Sequence, residues 1–201
     1  DHTMPKSANS IRVTAMINYT SPPSLNSCFR AALASLFFIC LSSGANAFEV
    51  KSPAFEDGDK LPRIYACSKQ GGKDHSWEIT INDTPSEAVS LVIIMDDPDA
   101  QPVAGKTWVH WNVSNIPADT KSLPSKKRGK KLGVGKLGYS SRASKSYHGM
   151  CPPNGEHKYT LAVYALNVEF KKTLDQMTRK RFERKYKDKI IVKAEISGRW
   201  G

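Results

Sequence analysis

Four cysteines among 201 residues are too few for a disulfide-dense scaffold. The longest uncharged apolar run, Ala31 to Leu41, has 11 residues, well short of the roughly 20 that span a bilayer as a helix. No glycine-rich fingerprint of the Rossmann or Walker kind occurs, and no segment repeats at a fixed period. Two common nucleotide-binding frameworks and the solenoid and propeller arrays are thereby excluded. Acidic residues are scarce, 19 against 30 Lys and Arg, and the net charge of +11 gives a general affinity for polyanions and anionic surfaces without naming a ligand. What is present is ordinary: 39% hydrophobic, 9% aromatic and 24% charged residues, the composition of a chain that folds around one core.

The first 47 residues differ from the rest. Numbering begins at Asp1, and Met4 and Met16 are candidate initiators. Arg30, the apolar run and the small-residue Ala45-Asn46-Ala47 site follow the order of a secretory signal peptide, so cleavage near Ala47 and a periplasmic or secreted domain over residues 48–201 are expected. The bland alternative is a buried helix of the domain. Cleavage leaves 27 basic against 18 acidic residues, +9, and removes Cys28 and Cys40. Cys67 and Cys151 then remain, either as a disulfide in an oxidising compartment or as two separate buried thiols.

Along the domain, Ser52 to Pro62 reads as an extended arm leading into a short strand at Arg63–Cys67. Ala88 to Met95 is an almost continuous β-branched apolar run, the pattern of a strand buried on both faces. Trp108 to Val113 alternates, which places Trp108, His110 and Asn112 on one face and Val109, Trp111 and Val113 on the other. Lys121 to Lys145 carries nine basic residues and no acid, a long cationic loop without a core face. His157 to Leu166 is a strand with His157 and Tyr159 on one face. Thr173 caps a helix with an apolar stripe at Leu174, Met177, Phe182 and Tyr186, and Ile190 to Ile196 is a last strand. Many strands and one late helix predict a mainly β domain, a sandwich or barrel.

Chemistry concentrates where titratable residues interrupt apolar strands: Asp96-Asp97-Pro98-Asp99, His110, and Cys151-Pro-Pro-Asn-Gly-Glu-His157-Lys-Tyr159. Imidazoles, a phenol and the N–H groups of a Pro-Pro-Asn-Gly turn suit phosphate or carboxylate oxygens. Each residue has a bland reading. His110 alone is a satisfied core histidine, and Asp97 and Asp99 alone are Asx-turn residues, with Asp97 the better candidate for orienting an imidazole. A zinc reading would use His110, His157 and Asp97, and an esterase reading would set Cys151 near His157 or use His110 or His157 as base. No cofactor is called for. The basic segments lack the aromatic interleaving of a single-strand nucleic-acid platform, so no specific nucleic acid is expected, only weak, salt-sensitive adhesion to anionic membrane surfaces.

Asp97-Pro-Asp-Ala100, Trp108-Val-His-Trp111 with Asn115-Ile-Pro117, and Tyr147-His-Gly-Met-Cys-Pro-Pro-Asn-Gly-Glu-His-Lys-Tyr159 with Val163-Tyr-Ala-Leu166 resemble the signatures of the phosphatidylethanolamine-binding protein family. The likeness is nearest to its bacterial Raf-kinase-inhibitor-like branch, with Ser52-Pro-Ala-Phe55 opening the domain. The resemblance implies a β-sandwich whose pocket holds a small anionic or phosphorylated ligand. Asp97, His110, His157 and Tyr159 fall at the pocket acid, histidines and tyrosine, and Pro98, Trp108, Gly149, Cys151 and Pro152 belong to the same motifs. It also implies a regulatory protein partner, a kinase or protease, and binding rather than catalysis. The alternative is a hydrolase of phospho- or acyl-esters with a histidine base. Three segments depart from the family pattern: Gly149-Met150-Cys151, Leu137 to Ser144, and Asp74 to Asn82. Anion affinity is expected to rise as pH falls from about 8 toward 6 and imidazoles gain protons.

Overall fold

The computed structural model describes residues 47–201. The expected leader up to Asn46, with Cys28 and Cys40, lies outside the described residues.

Two antiparallel sheets carry the domain. Strands β1 (Glu49–Lys51), β2 (Ile79–Asn82) and β5 (Ser122–Leu123) form one in the order β1-β2-β5. Strands β3 (Ser90–Asp97), β4 (Trp108–Pro117), β6 (Lys136–Leu137), β7 (His157–Leu166) and β8 (Ile190–Trp200) form the other in the order β6-β4-β3-β7-β8. Between the sheets lie Val50, Trp77, Ile79 and Ile81 from one side and Leu91, Ile93, Met95, Trp111, Leu161 and Val163 from the other. The intervening residues Val92, Ile94, Ala162 and Tyr164 face a second cluster with Leu174, Met177 and Phe182. The uninterrupted apolar run in β3 follows from this, because a central strand covered on both faces has no solvent side to make polar. Every residue of β3 is buried.

The second cluster is roofed by α2 (Arg179–Tyr186), with Thr178 as N-cap, its side chain accepting from the Arg181 N–H at 3.2 Å. The expected helix start at Thr173 is corrected. Gln176 has φ +42°, a left-handed backbone that a right-handed helix cannot contain, so Leu174 and Met177 reach the cluster from an irregular segment. Two asparagines of β4 hold that segment. Asn112 accepts from the Met177 N–H (2.9 Å) and donates to the Met177 carbonyl (3.0 Å), and Asn115 pairs in the same way with Phe170 at 2.8 and 2.9 Å.

Two further expectations are corrected. Arg63–Tyr65 is a 3₁₀ turn rather than a strand, entered from Pro62, and the preceding arm is pinned by buried Phe55, whose ring meets Trp77 edge-on at 4.9 Å. The Lys121–Lys145 segment does have a core face: Leu123 is buried, and Leu132, Val134 and Leu137 pack on the main cluster. Gly129 makes this possible. With φ +57° it lies so close under Trp111 that a Cβ would come within 2.7 Å of the indole nitrogen.

Candidate functional site

The end of β3, the start of β4 and the start of β7 meet the loop Tyr147–Pro153 at one end of the larger sheet. Strands β4 and β7 do not pair, since β3 lies between them, so His110 and His157 converge across Asp97 rather than side by side. Strict alternation would have turned His110 toward the helical layer with Asn112. The register instead jumps at Met95/Asp96, where Met95 pairs with Trp111 and Asp96 with Val109, so His110 is the extra residue of a bulge. A bulge re-aims a side chain. His110 thus sits against Tyr159, ring centroids 5.2 Å apart and nearly perpendicular, while Asn112 keeps the opposite side. The shared face expected for His110 and Asn112 is therefore corrected.

These residues line a pocket of about 270 Å³ with Trp108, Gly149, Cys151 and Pro152 on its walls. Pro98 does not line it but borders a separate groove with Asp96 and Arg179 on the helical side. His148, Arg142, Pro153 and the short α1 (Gln101–Ala104), through Val103 and Ala104, also line the pocket. Sequence reasoning missed these four contributions. His148 stood inside a quoted motif, but nothing in a loop's periodicity marks which side chain turns inward.

Hydrogen bonds fix the polar groups. Asp97 Oδ2 lies 2.8 Å from His157 Nδ1, and its Oδ1 accepts from the Ala100 N–H at 3.1 Å, so the carboxylate both orients the imidazole and caps the turn after β3. Asp99 serves the fold, accepting from the Lys158 N–H at 2.8 Å. His110 Nδ1 is 2.7 Å from the His148 carbonyl, and His148 Nδ1 is 3.2 Å from that of Gly149. A carbonyl only accepts, so both Nδ1 atoms carry the proton, and in the neutral rings Nε2 is a lone-pair acceptor. Tyr159 is fully buried among these rings, its hydroxyl without a hydrogen-bond partner among the described residues.

Burial sets the electrostatics. It pushes the His110 imidazole down to about 3 and that of His148 down to about 4, with the Arg142 charge adding to both effects. It raises Asp97 above the usual carboxylate range against the opposing bonds from His157 and Ala100, and it raises the Tyr159 phenol. The expectation that falling pH charges the pocket histidines is corrected for His110, which stays neutral throughout the range from 8 to 6. Of the residues in the zinc reading, Asp97 is already engaged by two N–H groups. Among the described residues no group of three or more His, Cys, Asp and Glu is placed to hold a metal ion.

Cys67 and Cys151 are joined by a disulfide, Cα atoms 5.5 Å apart, which ties the pocket loop to the turn Ser68–Gln70. The cysteine nucleophile of the esterase reading is thereby consumed. Asp74 reinforces the tie, accepting from the Gly149 N–H at 3.1 Å and the Ser68 N–H at 3.3 Å. Gly149 has no alternative here, because a Cβ would lie 2.6 Å from both the Asp74 carboxylate and the Cys67 nitrogen. The bond closes a separation of 84 residues, so replacing both cysteines by serine should cost about 2–4 kcal/mol. Thermal melts with and without reductant check this; an unchanged transition would contradict it.

The sandwich thus brings an acid, two histidines and a tyrosine together on one pocket at one sheet end. The chain belongs to the phosphatidylethanolamine-binding protein family, whose model matches residues 51–201. It is 38% identical over 165 residues to a UPF0098 protein of Aquifex aeolicus (strain VF5), covering 80% of this chain and 92% of that one. It is similar in structure to Escherichia coli YbcL, a member of the mammalian PEBP family, with TM-score 0.67, 28% identity and coverage of 76% and 97%. A Chlamydia trachomatis homologue of the phosphatidylethanolamine-binding protein gives TM-score 0.66 and 29% identity, covering 78% and 98%.

Proposed function

We propose that this chain is an exported, non-catalytic binding module that holds a small anionic or phosphorylated group in the pocket of Asp97, His110, His157 and Tyr159. Export rests on the leader's sequence, and a kinase or protease as regulatory partner rests on the family likeness alone. The pocket rests on geometry. Its carrying observation is the Tyr159 hydroxyl, a buried donor with no partner among the described residues, set between two imidazoles whose Nδ1 atoms are already engaged. A buried hydroxyl left unpaired costs about 1–3 kcal/mol, which an oxyanion would recover.

The tautomers define the ligand further. With Nδ1 protonated, each neutral imidazole offers a lone pair at Nε2, which repels a bare phosphoryl oxygen and welcomes a P–OH. Binding a phosphomonoester dianion, which has no P–OH, therefore takes up a proton at the pocket. Falling pH should strengthen phosphomonoester binding through that uptake, without charge on His110.

His157→Ala and Tyr159→Phe each remove one polar partner, and we expect a ten- to hundredfold loss for the first, about 1.5–3 kcal/mol, and a smaller one for the second. Phosphorus NMR line broadening of phosphate and phosphoethanolamine measures both. Equal broadening by the wild type and both variants would remove the pocket from the account.

A further inference from the structure

The pocket does not end at His148. A smaller cavity of about 140 Å³ adjoins it and shares Arg142, His148 and Cys151 with it, continuing behind the disulfide to Arg128, Lys69 and Asp74. Three cations thus face one carboxylate. Both Asp74 oxygens are engaged by backbone N–H groups, and among the described residues none of the three cations forms a salt bridge. Arg128 is steadied by a 3.4 Å bond from Nη2 to Ser146 Oγ. The Arg142 charge reaches both His110 and His148, and that of Arg128 reaches His148, so these guanidinium groups act electrostatically on the pocket interior. Arg142 also stands in Leu137–Ser144, one of the segments that depart from the family pattern.

We infer that the two cavities form one bipartite site for a phosphoryl compound bearing a second anionic group, the phosphoryl beside Tyr159 and His157 and the second anion between Arg142 and Arg128. The inference rests on the pocket reading above and adds the class of ligand. Two guanidinium groups flanking a mouth suit a carboxylate or second phosphate, which can accept several N–H bonds at once. A zwitterionic head group would place its ammonium against them and be disfavoured. A free phosphomonoester and a lipid head group share this chemistry.

O-phosphoserine and O-phosphoethanolamine differ only by a carboxylate and serve as probes. Calorimetric titration of the full domain should show phosphoserine binding about five- to tenfold more tightly. Arg128→Gln combined with Arg142→Gln should bring the ratio near one, while Lys145→Gln, an equal change in loop charge per site, should leave it. Cosedimentation with phosphatidylserine and phosphatidylethanolamine vesicles in 0.5 M salt repeats the comparison. An arginine-dependent preference in the vesicle arm assigns a lipid head group, and one in the soluble arm alone assigns a free phosphomonoester. Either supports the bipartite site. A wild-type ratio of one, or a preference that survives the double substitution, overturns it while leaving the pocket reading intact. Failure of both probes to bind the wild type overturns the two readings together.

Discussion

Arg179→Ala is expected to destabilise the domain by about 3–5 kcal/mol, because it strands a buried charge. Asp96 is almost fully enclosed at the end of β3, and Arg179 supplies both of its partners: Nε at 2.7 Å and the backbone N–H at 2.8 Å. The same guanidinium reaches Glu195 at 2.9 Å, and Lys193 links Glu195 to Glu183, which accepts from the Tyr164 hydroxyl at 3.0 Å. The outer pairs are exposed and contribute little; the buried member decides the effect. Asp96→Asn combined with Arg179→Met removes the stranded charge and should recover most of the loss. Urea unfolding of the three proteins tests this, and a loss under 1 kcal/mol for the single variant would contradict it. Since Asp97 is the next residue along, loosening this end of β3 should also disturb the His157 pairing.

Acid should weaken the fold between pH 7 and 5 by on the order of 4 kcal/mol. His110 and His148 keep pKa values of about 3 and about 4 in the folded chain, whereas an unfolded histidine titrates near 6.5. Their contribution is fully present above the unfolded value and is lost as pH falls, since only the unfolded chain takes up the protons. Each accounts for on the order of 2 kcal/mol by pH 5. The raised Asp97 acts in the opposite sense near the acid end of the window, because protonation relieves its desolvation. His110→Asn and His148→Asn keep an N–H near the Nδ1 position, so together they should flatten the fall in urea midpoint. A decline as steep as in the wild type would contradict the assignment.

The sequence was most legible where burial is symmetrical or periodic. The continuous apolar run of β3 and the strands β4, β7 and β8 follow directly from the alternation and the β-branched residues. The ordered motifs brought Asp97, His110, His157 and Tyr159 into one site before any geometry was known. Three kinds of information were not local. The bulge at His110 arises from the register between two strands, and no residue type announces it. The break before α2 comes from the left-handed Gln176 and from Asn112, more than sixty residues away in sequence, which holds the Met177 backbone. The inward turn of His148 is set by the disulfide, Asp74 and the backbone bond from His148 to the His110 carbonyl, contacts between distant segments. The face shared by His157 and Tyr159 was readable, because period two survives intact in β7.

The central claim is that a phosphoryl anion enters the pocket and brings or acquires a proton there. Calorimetric titration of methyl phosphate, a dianion without a P–OH at pH 8, in two buffers of unlike ionisation enthalpy, tests it most directly. The account predicts saturable one-site binding, a buffer-dependent heat corresponding to net proton uptake, and loss of both on His157→Ala. Saturable binding with the same affinity in His157→Ala, or no saturable binding to the wild type, would contradict it.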